Sequence, residues 1–132
     1  MMALLLLAAT PVAGPPAPAM EPASEPRAPR IGLDGPSLDA CGGLGRIGGA
    51  YRKLAVREGP SENARTSETL QESMLVWLCE ADGDWQGIVY ARGQFQDVGD
   101  CRVSTPVPEP RPYDGPCRMG WVLAKDIEFL AG

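Results

Sequence analysis

The sequence predicts a small all-β domain, a barrel or sandwich held by two disulfides, behind an export signal and a disordered linker. Three observations predict it. Short apolar runs alternate with Gly, Pro and Asp clusters, and no long helical periodicity interrupts them. Four cysteines in 132 residues form an even set of the kind that pairs as disulfides. Eight of the 14 prolines fall in the first 36 residues, which separates an extended N-terminal region from the folded part.

Residues 1–19 have the pattern of a secretory signal peptide. The run Ala3–Ala9 is apolar, and Ala17-Pro18-Ala19 supplies the small residues of a cleavage site. The run is too short to span a bilayer, which takes about 20 apolar residues. Because no Lys or Arg precedes the run, a plain Ala/Pro tail is the alternative. We expect a periplasmic or secreted protein with no membrane insertion after signal removal.

The residues after the signal divide into a linker and one domain. Residues 20–36 are rich in Pro and Ala, which favours a disordered linker. Residues 37–132 contain every Trp, Tyr and Cys of the chain, and a part of this size buries one modest core. This domain carries 14 acidic and 10 basic residues and no Lys/Arg cluster. Nucleic acid is therefore not an expected partner.

The four cysteines are expected to pair as two disulfides. Cys101 and Cys117 flank a segment with five prolines and little capacity for regular structure. A disulfide that joins the two ends of this segment is therefore the simplest pairing. Cys41 then pairs with Cys79. Each disulfide is expected to raise the free energy of unfolding by about 3–4 kcal/mol, because it lowers the conformational entropy of the unfolded chain. The other two connectivities stay open at this point. Zinc is disfavoured because the cysteines are widely spaced and the chain has no His.

Six short segments have the composition of strands. A hairpin turn at Ala81-Asp82-Gly83-Asp84 follows the strongest of them, and a single helical turn is expected at Lys125–Ile127. The six segments are Tyr51–Arg57, Ser67–Leu70, Met74–Glu80, Trp85–Ala91, Gly120–Leu123 and Glu128–Leu130.

The segment Met74–Cys79 is apolar at six successive positions. An antiparallel strand with one solvated face would alternate instead, so both faces of this strand must be buried. The available covers for its second face are the segment around Cys41 and the long loop between Cys101 and Cys117.

The remaining motif-like features favour neither catalysis nor cofactor binding. The G-x-G-x-x-G at 43–48 lacks the helix that dinucleotide binding needs, and it is interpreted as a flexible Gly-rich loop. Asp82–Gly93 begins like a calcium loop but ends in Gly where a Glu is required. Without His, Ser-His-Asp and Cys-His sites are excluded. We expect no enzymatic activity, no metal and no cofactor.

Three motifs together resemble the bacterial Src-homology-3-like domain. They are Leu54-Ala55-Val56-Arg57-Glu58-Gly59-Pro60, the Asp84-Trp85 hairpin and Gly120-Trp121-Val122, in the family's order and at plausible spacing. The match covers about residues 51–130. It departs from the family at Ala55, where Asn is usual, and in the disulfide-closed insertion at about 91–118. Tyr113–Cys117 is similar to a subgroup of small exported, disulfide-containing proteins.

The resemblance implies a compact barrel that works as a non-catalytic binding module for a peptide, peptidoglycan or an envelope protein. Four aromatic residues are candidate ligand contacts, with core packing as the alternative for each: Tyr51, Trp85, Tyr90 and Trp121. Trp77 is expected in the core. The alternative function is an envelope inhibitor or structural protein that acts through the stapled proline-rich loop, because a disulfide-closed loop is rigid enough to occupy a cleft.

Export predicts a shortened and oxidised chain. The mature protein is expected to start near Gly14 or Met20 and to contain no free thiol. Mass spectrometry of protein recovered from outside the cytoplasm, with and without alkylation of thiols, measures both properties. An intact Met1 together with free thiols would contradict the prediction.

Overall fold

The computed structural model describes residues 25–49, 53–92 and 100–132. The expected signal peptide and the first part of the expected linker fall outside these ranges. Within them, no helix is long and apolar enough to cross a membrane. The strands are β1 (Arg30–Ile31), β2 (Gly43–Ile47), β3 (Lys53–Arg57), β4 (Thr66–Gln71), β5 (Leu75–Asp82), β6 (Trp85–Tyr90), β7 (Arg111–Pro112), β8 (Arg118–Leu123) and β9 (Ile127–Ala131), with a 3-10 helix at Ala124–Asp126.

The predicted all-β class is confirmed. Seven strands form one antiparallel sheet in the order β4-β3-β8-β6-β5-β2-β9, and β1 pairs with β7 in a separate two-stranded ribbon. The predicted hairpin joins β5 to β6, with Asp82 opposite Trp85 across a two-residue turn. The 3-10 helix, Ala124–Asp126, begins and ends one residue before the helical turn predicted at Lys125–Ile127.

The predicted barrel is not closed. β4 and β9 are the edges of the sheet, and no ladder joins them within the described residues. The sheet is nevertheless curled, because Leu70 of β4 and Ile127 of β9 pack against the same cluster of buried side chains. In a flat sheet of seven strands the two edges would lie about 30 Å apart. Burial of one core thus bends the sheet without completing the ring of hydrogen bonds.

Two clusters of buried side chains lie on opposite faces of β5 and β6. On β6, Ile88 and Tyr90 belong to one cluster and Val89 to the other, as the alternation of a strand requires. The inner core, on the concave side, consists of Ile47, Leu54, Val56, Leu70, Val76, Ile88, Tyr90 and Val122. The outer core consists of Ile31, Ala40, Cys41, Val89, Cys101, Val103, Val107 and Tyr113.

The prediction that Met74–Cys79 is covered on both faces is confirmed. Val76 belongs to the inner core, whereas Trp77, which is half-buried, packs against the outer core. The outer core includes Cys41 from one expected cover and Val103 from the other.

The two expected disulfides are confirmed. Cys41 is bonded to Cys79, with their Cα atoms 4.4 Å apart, and Cys101 is bonded to Cys117, with their Cα atoms 5.4 Å apart. The first bond ties the outer cover to β5, and the second closes the proline-rich loop. Two disulfides are typical of a protein that folds in an oxidising, non-cytoplasmic compartment.

The Gly-rich stretch at 43–48 was expected to be a flexible loop, and this expectation is wrong. Its residues form β2, which lies between β5 and β9. A Cβ atom on Gly45 would lie 2.5 Å from Cγ2 of Ile127 and 3.3 Å from Cδ2 of Leu78. Glycine composition predicts a loop because glycine weakens a strand, but here the missing side chain makes room for the neighbours.

The folded domain begins before Ser37, the boundary expected from composition. Within the expected linker, Pro29 and Ile31 are buried, and Arg30–Ile31 pairs with β7. Residues 25–36 are therefore part of the domain. A proline-rich composition favours extended backbone, and extended backbone is as suitable for docking on a surface as for a solvated linker.

Gly120 allows β8 to pass close to β3. A Cβ atom there would overlap Cγ1 of Val56 and lie 2.9 Å from the carbonyl oxygen of Arg57. Gly120→Ala is expected to lower the free energy of unfolding by about 1–3 kcal/mol through overpacking, which is a fall in Tm of roughly several degrees. In the control Gly48→Ala the nearest atom to the added Cβ is 3.7 Å away. Thermal unfolding followed by circular dichroism compares the two, and equal Tm values would contradict this packing.

Candidate functional site

Of the four candidate aromatic residues, the three that the structure describes fall on two faces of the sheet. Tyr51 lies outside the described residues. Tyr90 is buried in the inner core, and its hydroxyl donates a hydrogen bond to the Glu68 carboxylate. Burial raises the pKa of Tyr90 above its usual range, so the phenol stays protonated. Trp85 and Trp121 lie on the outer face, where Trp85 is half-buried and Trp121 is fully buried.

The register of the sheet places carboxylates beside the two tryptophans. Gly87 lies two residues before Val89 of the outer core, so both point to the same face. The ladder partners of Gly87 and of Trp85 share that face. Five residues there, called the Trp121 face below, are Glu80, Asp82, Trp85, Gly87 and Trp121.

Residues 25–31, called the N-terminal segment below, contact the Trp121 face from Arg27 to Arg30 and enter the outer core at Ile31. Arg27 makes the charged contacts. The guanidinium of Arg27 donates to both carboxylate oxygens of Glu80, at 2.9 and 3.1 Å, and to Asp82 at 2.7 Å. Its Cζ atom lies 4.6 Å from the centroid of the Trp121 ring, within the range of a cation–π contact. The hydrogen bonds to Glu80 raise the pKa of Arg27 above its ordinary value, so this side chain stays charged.

Backbone groups of the N-terminal segment are also hydrogen-bonded. The indole N–H of Trp121 donates to the carbonyl oxygen of Arg27 at 2.7 Å. The backbone N–H of Arg27 donates to the carbonyl oxygen of Glu58 at 2.9 Å, and that of Arg30 donates to the Glu80 carboxylate at 2.9 Å. The N-terminal segment therefore covers a tryptophan that points away from the inner core.

Pro29 occupies a slot above Gly87. The proline is fully buried, and a Cβ atom on Gly87 would lie 2.7 Å from its Cβ and 3.2 Å from Cζ3 of Trp121. The carbonyl oxygen of Pro29 accepts a hydrogen bond from the backbone N–H of Tyr113 at 2.8 Å. The slot exists because residue 87 has no side chain.

The local sequence favours an extended N-terminal segment. Pro26 and Pro29 have φ fixed near about −65°, and each restricts the residue before it to extended backbone. Prolines spaced by three residues fall on one side of a polyproline II helix, which has three residues per turn. Because the unbound segment is already restricted, docking costs less conformational entropy than it would for an ordinary peptide.

The sequence-based prediction missed the N-terminal segment and the two carboxylates. It assigned Arg27 to a linker and Asp82 to a turn. The signal in the sequence was partial. Arg27 and Arg30 are the first basic residues of the chain, but strict alternation would put Glu80 and Asp82 on the same face as Val76, and only the register shift between Leu78 and Glu80 turns them to the Trp121 face.

The stapled loop packs against the domain. Val103, Val107 and Tyr113 are buried in the outer core. The hydroxyl of Tyr113 donates to the carbonyl oxygen of Cys101 at 2.9 Å and accepts from the backbone N–H of Cys117 at 3.0 Å. Burial raises the pKa of Tyr113, which keeps the hydroxyl available as a donor. These three side chains thus belong to the core, whereas the five prolines of the loop are exposed.

Two cavities lie away from the Trp121 face. One of about 700 Å³ is lined by mainly polar residues of β4 and its turn together with Tyr90. Another of about 430 Å³ lies beside Leu38 and Phe129. In the described part of the chain, no group of three or more His, Cys, Asp or Glu side chains is placed to hold a metal ion.

No protein-family model, curated protein or solved structure matches this chain. The function is therefore inferred from the geometry of the Trp121 face. That face offers two carboxylates, a flat ring with an N–H donor, and a slot without a side chain. Such groups can hold a cation by paired charge-assisted hydrogen bonds and a cation–π contact, and can seat a small ring beside it.

Arg27→Ala removes the cation from above Trp121. We expect the free energy of unfolding to fall by about 1–2 kcal/mol, because the hydrogen bonds involve charged groups but remain partly exposed. Tryptophan emission should shift to the red as water reaches the indole. Arg30→Ala is the matched control, since the side chain of Arg30 is exposed. Unchanged emission in Arg27→Ala, or equal effects of the two variants on Tm, would contradict the contacts described here.

Proposed function

We propose that this chain is an exported, non-catalytic binding module that recognises a peptide-like ligand through the Trp121 face. The observation that carries the proposal is the N-terminal segment docked there. A short extended peptide is held by side-chain charge, by a buried proline and by backbone hydrogen bonds, which are the three kinds of contact that a peptide-binding surface uses. A surface able to hold one such segment is suited to hold another.

The strand order supports kinship with bacterial Src-homology-3-like domains. With the β3-β4 hairpin set aside, the order is β9-β2-β5-β6-β8, and a 3-10 helix separates β8 from β9. The three motifs that carry the resemblance lie on β3, at the β5-β6 hairpin and on β8, all within this one sheet. We propose an open variant of the Src-homology-3-like barrel, in which the curled sheet and not a complete ladder encloses the inner core.

The absence of a suitable base supports a non-catalytic role. The chain has no His, and within the described ranges Asp126 is the one buried charged side chain. Glycoside hydrolysis, the carboxylate chemistry that needs no His, uses a pair of carboxyl groups that face a shared substrate. Glu80 and Asp82 face the same cation instead, which suits binding.

The disulfides support placement in the periplasm or outside the cell, where oxidised cysteines persist. The partners that fit such a place are a peptide, peptidoglycan or an envelope protein. A net charge of −5 disfavours nucleic acid. The alternative, an inhibitor acting through the stapled loop, has one observation in its favour: the five prolines of that loop are exposed, while Val103, Val107 and Tyr113 anchor the loop in the outer core.

Opening the Trp121 face should increase binding, and filling it should abolish binding. We expect Arg27→Ala to raise retention of the full chain on purified peptidoglycan or on immobilised envelope proteins about tenfold, because the N-terminal segment no longer competes as well. Adding Gly87→Val fills the slot and should return retention to background. A loop variant, Pro108→Ala, is the control and should match the wild type.

Sedimentation with peptidoglycan and pull-down with envelope protein provide the measurements for these variants. If retention is unchanged by Arg27→Ala and Gly87→Val but falls with Pro108→Ala, the proposal is contradicted and binding through the stapled loop is favoured. Circular dichroism of each variant checks that it is folded.

A further inference from the structure

We infer that the edge strand β9 binds a second copy of this chain, in an antiparallel pair centred on Phe129, and that the chain forms a symmetric dimer. Within the described residues, β9 pairs with β2 on one side and with no strand on the other. An unpaired edge presents backbone donors and acceptors to a strand that approaches it. This surface is separate from the Trp121 face, because β2 lies between β9 and the three strands that carry that face.

The exposed side chains of β9 differ from those of β4, the other edge strand. On β4 the exposed residues are all polar, namely Thr66, Ser67, Thr69 and Gln71. On β9, Phe129 and Leu130 are 62% and 40% exposed, and Leu38, which is 58% exposed, lines the same cavity as Phe129. Edge strands that stay unpaired usually carry lysine or proline. β9 has neither, and its one charged side chain, Glu128, is already paired with Arg46 of β2.

The backbone of β9 points outward at Phe129. On β2, the N–H and C=O groups of Ile47 bond to Met74 and Ser73, on the side away from β9. Ile47 lies opposite Ile127 in the ladder, so the backbone groups of Ile127 also point away from β2. The same direction recurs two residues later, at Phe129.

Phe129 is the position where a second strand can both donate and accept. The N–H of Ile127 already donates to the carbonyl oxygen of Ala124 in the 3-10 helix. A pair centred on Phe129 gives two reciprocal hydrogen bonds between the copies, whereas one centred on Glu128 would need the Ile127 N–H and would set two like charges opposite each other. Because Leu130 forms a bulge after Phe129, the new ladder is short and the dimer is weak.

The two ends of β9 carry opposite charges. Lys125 is exposed just before the strand begins. At the other end, the exposed Asp34 and Asp39 line the same cavity as Gly132. Antiparallel pairing brings the start of one strand to the end of the other, so each Lys125 approaches the aspartates of the second copy. A two-fold interface requires this self-complementarity, which favours a second copy over an unrelated strand.

The same pairing covers the exposed apolar side chains. Residues directly opposite each other in an antiparallel pair lie on the same face. The two Phe129 rings therefore meet across the interface, each with Leu38 beside it. Aromatic cross-strand pairs stabilise a sheet, and here the pair removes from water the most exposed large apolar side chain that the structure describes.

Sedimentation velocity of the oxidised wild-type chain, from about 1 μM to about 1 mM, tests the inference. We expect a reversible monomer–dimer equilibrium and no larger species, because a two-fold pair leaves no β9 edge free. Phe129→Glu should raise the dimer Kd about tenfold or more, since it removes the aromatic pair and sets like charges opposite each other. Met119→Glu is the matched control and should leave the Kd unchanged, because Met119 is 41% exposed but lies on β8.

Charge reversal tests the antiparallel direction of the pair. Lys125→Glu alone and Asp34→Lys alone should each raise the Kd about fivefold, because each sets like charges against each other in both symmetric contacts. The double variant with both changes should recover most of the lost affinity, since opposite charges face each other again. Both side chains are exposed, and circular dichroism checks that every variant is folded.

Hydrogen exchange of the Phe129 amide, followed by NMR, tests the register in the wild-type chain. In the monomer this N–H points towards solvent, and in the dimer it donates across the interface. Its protection should therefore rise with protein concentration.

A wild-type chain that stays monomeric over the whole range, or that forms species larger than dimers, would overturn the inference. Equal Kd values for Phe129→Glu and Met119→Glu would overturn it as well. A double charge reversal that binds no better than the single ones would exclude the antiparallel pair, and exchange at Phe129 that is independent of concentration would exclude its centre.

Discussion

The structure depends on one constraint, the burial of β5 and β6 on both faces. One face is closed by the curl of the sheet, which brings β4 and β9 around the inner core. The other face is covered by two mostly irregular pieces of chain, the residues up to Cys41 and the loop closed by Cys101–Cys117, which are joined by the short β1-β7 ribbon. Irregular covers bury little surface for their length, and disulfides are the usual supplement in so small a domain.

The same constraint produces the candidate site. The cover of the outer face differs between the outer core and the turn of the β5-β6 hairpin. Around Val89 it consists of buried apolar side chains. Around Gly87 and Trp121 it consists of a single extended peptide, which is held by Glu80 and Asp82 and by the burial of Pro29. The proposed binding role depends on this second kind of cover.

The sequence predicted what depends on local patterns, and it missed what depends on contacts between distant residues. The β5-β6 hairpin, the two-faced burial of β5 and the cysteine pairing follow from an apolar run, an Asp-Gly turn and a proline-rich loop. β2 was missed because Gly43 and Gly45 lower strand propensity, and only the neighbouring side chains explain them. The site was missed because proline favours extended backbone equally in a free linker and in a docked segment, and the partner carboxylates lie more than 50 positions away.

A binding role for the Trp121 face requires that the N-terminal segment covers Trp121 in solution. Hydrogen exchange of the Trp121 indole N–H, followed by NMR on the full wild-type chain, tests it most directly. That N–H donates to the carbonyl oxygen of Arg27 and its side chain is fully buried, so we predict slow exchange, with a cross-peak to the protons of Arg27. Exchange as fast as that of a solvent-exposed indole, with no contact to Arg27, would contradict the account.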